Sequence, residues 1–161
     1  MLLTLLTFLH VAISLVGIGA GLVVVFGLIE SRRSDTWTAL FLATTAATSL
    51  TGFFFPFHGF KPSMAVGGVS LVLLALTAIG RYRFEFSGAW RGFYVFGVVS
   101  TLYLNVFVLI IQMFLKIPAL QALAPTQTEA PFKISQLSIL IAFILVGIVA
   151  AKRFRVERRR E

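Results

Sequence analysis

The sequence predicts an all-α integral membrane bundle of five transmembrane helices, with the N-terminus outside and the C-terminus cytoplasmic. Three observations lead there. Residues 1–29, 36–60, 62–80, 92–115 and 134–151 contain no Asp, Glu, Lys or Arg, and roughly 20 helical residues cross a hydrocarbon core of about 30 Å. Hydrophobic residues make up 58% of the chain and the mean hydropathy is +0.97, more apolar surface than a soluble domain of 161 residues can hide. The cations are distributed unequally. Eleven fall on one side of this topology: Arg32, Arg33, Arg81, Arg83, Arg91, Lys152, Arg153, Arg155, Arg158, Arg159 and Arg160. Only Lys61, Lys116 and Lys133 fall on the other. Basic residues near helix ends are retained in the cytoplasm, which fixes the orientation and requires an odd number of crossings.

The first span, about 5–29, lacks a basic leader and its apolar run exceeds the 7 to 15 residues of a signal peptide, so it reads as a retained helix. The short turn at Arg32 and Arg33 sends the second span, 36–56, back along it as an antiparallel hairpin. Gly17 and Gly21 form a GxxxG spacing, and the small residues from Ala43 to Thr51 offer a matching face on the second span. Gly52 and Pro56 bracket three phenylalanines, which predicts a kink or an end there. The third span, 63–80, and the fifth, 134–151, are barely long enough. The fourth, 90–115, carries Thr101, Asn105 and Gln112 on one face, and Trp37, Tyr82, Trp90 and Tyr94 form an aromatic belt at the cytoplasmic surface. The connection 116–133 holds Pro118, Pro125 and Pro131, and predicts a short helix over 119–124 in a segment that is either a lid or a surface crossover. Residues 1–151 form one transmembrane domain, and 152–161 form a basic cytoplasmic tail.

Several function classes find no support. With no cysteine, the chain has no disulfide, thiolate nucleophile or cysteine-based metal site. HExxH, GxSxG and phosphate-binding glycine loops are absent, so no catalytic motif marks an enzyme. Neither repeats nor paired broken helices mark a transporter. The net charge of +8 follows from the positive-inside bias and implies no nucleic-acid partner. The expected partners are the lipid bilayer, anionic headgroups at Lys152, Arg153, Arg155, Arg158, Arg159 and Arg160, and either another membrane protein or a second copy of the chain.

The two histidines are the main chemical candidates. Counted from the first turn, His10 lies about 22 residues up one helix and His58 about 25 up the next, so both reach the same outer surface within about 5 Å in depth. Imidazoles on adjacent helices are a ligand pair for haem b or another metal, with Gly17, Gly59 and the small face of the second span supplying room for a macrocycle. Hydrogen bonding to a neighbouring carbonyl is the competing role. Met64 is a conceivable third ligand, with packing its alternative. Asn105 and Gln112 either join helices or bind the polar head of a quinone-like ligand.

Residues 53–63 (FFFPFHGFKPS), a glycine-containing helix and then Arg81-Tyr82-Arg83 resemble segments of small uncharacterised bacterial inner-membrane proteins. Some such families are suspected of binding haem and place a histidine where the third helix opens, a position that Met64 occupies here. The resemblance covers about a fifth of the chain and implies a multi-pass protein of the bacterial inner membrane. Three readings follow: a non-enzymatic structural or accessory subunit with a small-ligand site at its outer end, a haem or quinone redox protein using His10 and His58, and a small transporter or channel lined by Asn105, Gln112 and the Thr-rich face.

Overall fold

The uncharged stretches between cationic clusters become helices because only a helix satisfies every backbone donor and acceptor within one apolar segment. In a computed structural model that describes residues 1–55 and 62–155, these helices are α1 (Leu2–Ile29), α2 (Asp35–Gly52), α3 (Pro62–Ala78), α4 (Trp90–Lys116), α5 (Pro118–Leu123) and α6 (Ala130–Arg153). A π-helical turn, Ile79–Arg83, extends α3. Among the described residues there is no strand.

Four helical segments are long and apolar enough to cross a membrane: α1, Met64–Arg83, α4 and α6. The second predicted span is the exception. At 18 residues α2 reaches about 27 Å, but Asp35, six threonines and Ser49 dilute its hydropathy. It ends at Gly52, four residues before the predicted boundary at 56. The chain there tightens into i to i−3 bonds, with Phe53 N–H donating to Leu50 O and Phe54 N–H to Thr51 O, both at 3.1 Å. The last helix is longer than predicted, because Pro131 sits in its first turn where no amide donor is needed.

From α1 to α5 each helix packs against the next, and α4 also contacts α1 and α6, which makes it the central helix. The paired faces of α1 and α2 meet as the glycine spacing suggests. A Cβ on Gly17 would stand 3.0 Å from Thr44 Oγ1, and one on Gly21 would stand 2.7 Å from Leu102 Cδ1 and 2.9 Å from Phe41 Cε2. The core runs from Ala20, Val24 and Leu28 through Phe41, Val98 and Leu102 to Phe86, Tyr94 and Phe154.

Polar side chains also reach across between α2 and α4, whose backbones are not in close contact. Thr38 and Tyr94 share a buried hydrogen bond of 3.2 Å between α2 and α4. Farther along, Asn105 Nδ2 donates to the buried Thr45 Oγ1, also at 3.2 Å. In an apolar setting such pairs specify one packing, since the alternative is an unsatisfied polar group.

Candidate functional site

At the N-terminal end of α1, His10 is half-buried, with Nδ1 2.8 Å from Thr51 Oγ1. The Thr51 hydroxyl lies 2.7 Å from Ala47 O and donates its single proton there. His10 is therefore the donor through Nδ1–H, the tautomer in which Nε2 carries the lone pair. The ring meets Phe55 edge-on at 5.2 Å, and its Cε1 would lie 3.7 Å from a Cβ on Gly52. One turn along, Ser14 Oγ donates to His10 O at 2.7 Å and lies 3.3 Å from Thr48 Oγ1. Consecutive turns of α1 and α2 are thus joined through hydroxyls, with the imidazole as the outer rung of the two.

An imidazole anchored through one nitrogen has the form of a metal ligand. Its expected partner His58 and the nearby Gly59 lie outside the described residues. Among the described residues no three His, Asp or Glu side chains group to hold a metal ion. The space expected for a macrocycle at Gly17 is taken by Thr44 and Thr45, whose hydroxyl oxygens would stand 3.0 and 3.3 Å from a Cβ there. The small residues of this face have been used for helix contact. Residues around Gly17 therefore do not fit haem between α1 and α2.

The polar face predicted on α4 divides. Asn105 binds Thr45, whereas Gln112 is exposed. Helices α2 and α4 run in the same direction, so seven residues beyond the Thr45–Asn105 pair α2 has reached Gly52 and ended. Gln112 has no α2 side chain left to meet. The Thr101 hydroxyl is buried without a partner among the described residues. Gln136 on α6 donates to Phe107 O at 3.2 Å, which ties α6 to α4.

The connection after α4 is ordered by its own contacts. Helix α5 covers the predicted short helix, and Gln127 Nε2 donates to Ile111 O at 3.1 Å. Glu129 accepts from the Thr126 hydroxyl at 2.8 Å and from the Thr128 amide at 3.0 Å. These bonds, the Thr126 hydroxyl first, hold its carboxyl below the usual range. Beneath α5 lies an apolar groove of about 460 Å³ lined by residues including Ile110, Met113, Phe114, Leu120, Ile134 and Ser138.

The opposite end gathers the cations. Asp35, at the start of α2, accepts from Arg81 and lies 3.8 Å from Arg33 Nε. Arg81 is only 5% exposed, and its Nε has no partner among the described residues. Arg33 and Arg81 lie over the ring of Phe86 at 5.1 and 5.8 Å. The hydrogen bond from Arg81 holds the Asp35 carboxyl below its ordinary range against a smaller opposing effect of burial. An unfolded aspartate titrates near 3.9. The pair's contribution is therefore complete at neutral pH and fades as pH falls from about 4 through the lowered value. Unfolding temperatures measured in detergent between pH 7 and 3 should fall less steeply for Asp35→Asn than for the parent.

A second cavity, of about 670 Å³, lies beside this ion pair, lined by Arg83, Glu85, Phe86, Ser87, Arg91 and Arg155 among others. In the sequence these arginines register only as topology signals. The clue to their convergence is the Phe84-Glu85-Phe86-Ser87-Gly88 turn between Arg83 and Arg91. Lys152 and Arg153 close α6 as exposed cations, while Arg158, Arg159 and Arg160 lie outside the described residues.

Comparison with protein families, curated proteins and solved structures gives no match for this chain.

Proposed function

We propose that the chain is a five-span protein of a bacterial inner membrane, N-terminus outside, acting as a non-enzymatic accessory subunit that meets its partner through α6. The observation that carries this is the uneven burial of the apolar helices. In the most apolar stretch of α1 and of α4, 39% of residues are buried against the rest of the chain, but in α6 only 6% are. Ile134, Leu137, Ile141, Ile144, Leu145 and Ile148 remain exposed along its length. The polar groups between α1, α2 and α4 meanwhile serve as helix contacts, which supports a structural use for them. Gathering of Arg32, Arg33, Arg81, Arg83, Arg91 and Arg155 at one end supports the orientation, with α2 as the fifth crossing alongside α1. The apolar groove beneath α5 supports a small-ligand site at the outer end.

The test is the native mass of the protein extracted from its own membrane in mild detergent. The expected result is a discrete complex well above the 17.7 kDa of one chain, lost when Ile141 and Leu145 are both changed to Trp on the contact face and retained when Val72 on α3 is changed in the same way. A monodisperse single chain would remove the accessory reading.

A further inference from the structure

We infer that the cavity between Arg83, Arg91 and Arg155 binds the phosphate-bearing headgroup of an anionic glycerophospholipid in the leaflet at the basic end of the bundle. The inference rests on the proposed orientation only for naming that leaflet cytoplasmic.

Three guanidinium-bearing residues reach one cavity from separate parts of the chain, and local contacts hold each of them. Arg83 follows α3 and lies over the Phe84 ring at 5.8 Å. Arg91, in the first turn of α4, donates through Nη1 to Phe154 O at 2.6 Å. Arg155 follows α6. Its amide donates to Ser31 Oγ at 2.8 Å, and the same hydroxyl donates to its carbonyl at 2.9 Å, which leaves its side chain to the cavity. Glu85 is the one acid among the lining residues, so the site keeps a formal charge of +2. Guanidinium groups offer fixed forks of donors that match phosphate oxygens.

The surroundings favour a lipid over a free anion. The cavity lies at the basic end of the apolar helices, lined by residues that follow α3 and α6 and begin α4. Phe84, on the cavity wall, stacks on Trp90 at 4.3 Å, and Trp90 meets the exposed Phe93 at 5.6 Å, so apolar surface against which acyl chains would lie leads from the cavity onto α4. A free phosphate uses the arginines alone, but a phospholipid uses both. Basic pockets between membrane helices recognise anionic headgroups through this combination.

The experiment uses the full chain in neutral phosphatidylcholine vesicles titrated with phosphatidylglycerol, with bound lipid read by native mass spectrometry after extraction. Each of Arg83→Gln and Arg155→Gln should weaken phosphatidylglycerol retention about fivefold, whereas Lys152→Gln, outside the cavity, should change it little. Equal losses in all three variants would mean diffuse surface charge and overturn the proposal. Competition by soluble glycerol phosphate at concentrations comparable to the lipid would overturn the lipid assignment in favour of a small anion. Single cysteines test the orientation separately, because the chain has none of its own. An impermeant maleimide added to intact cells should label Gln121→Cys and spare Ser87→Cys. The reverse pattern would remove the proposed orientation and leave the vesicle result standing.

Discussion

Replacing Phe86 with alanine should destabilise the basic end by about 3 to 5 kcal/mol, the range for truncating a buried phenylalanine. The ring is 4% exposed and packs edge-on against Tyr94 at 4.7 Å and Phe154 at 5.6 Å. It also lies beneath Arg33 and Arg81, so its loss would remove both apolar burial and the aromatic surface facing a guanidinium that is almost fully buried. The backbone provides a control. Phe86 has φ of +64°, a left-handed conformation that costs an L-residue about 1 to 2 kcal/mol and glycine little. Phe86→Gly should therefore be less damaging than Phe86→Ala, the reverse of their order in a helix. Thermal unfolding in detergent would measure this. Equal stability of Phe86→Ala and the parent would refute the placement of the ring.

Gly97→Ala should be the second severe change. This glycine on α4 faces Thr77 and Leu73 of α3. A Cβ there would overlap the Thr77 hydroxyl and stand 3.3 Å from Leu73 O. Thr77 is fully buried, and its hydroxyl donates to that same carbonyl at 2.7 Å, so the side chain cannot turn away without losing its bond. Overpacking of this kind costs about 1 to 3 kcal/mol. Thr77→Ala in the same chain should restore part of the loss, while the Leu73 carbonyl keeps the recovery incomplete. Gly92→Ala is the contrast on the same helix. No atom lies within 4 Å of a Cβ there, and the change should stabilise α4 by about 0.5 to 1 kcal/mol through backbone entropy alone. If both alanines behaved alike in an unfolding titration, the close contact would be wrong.

The uncharged segments and their cationic punctuation were legible because lipid solvation acts on each segment separately. Runs of residues without charge located the four strongly apolar helices, and the spacing of Gly17 and Gly21 located the contact between α1 and α2. The nature of that contact was less accessible. The same small residues suggested room for a macrocycle, and only the packing of Thr44 and Thr45 into the gap decides how it is filled. Depth along the hairpin did bring His10 to the end of α2, where Thr51 receives its proton. Phe86 carried no signal, since a left-handed aromatic residue is fixed by the rings around it and not by its neighbours in sequence. Gly97 was similarly hidden among thirteen glycines, because its meaning depends on Thr77 of a different helix. The cavity arginines were read for their number and side, and their convergence required the turn after α3 and the end of α6 to be placed together.

The clasp between Ser31 and Arg155 also carries a schedule. Helices α1 and α2 are joined by the short turn from Glu30 to Ser34, so they can pair while most of the chain is still unmade. Ser31 then waits for a residue 124 positions later, and Arg91 waits for Phe154. These two contacts of the basic end can therefore form only after α6 has been made. A chain shortened before Arg155 would retain the early hairpin and lack the bond that ties its turn to the end of α6.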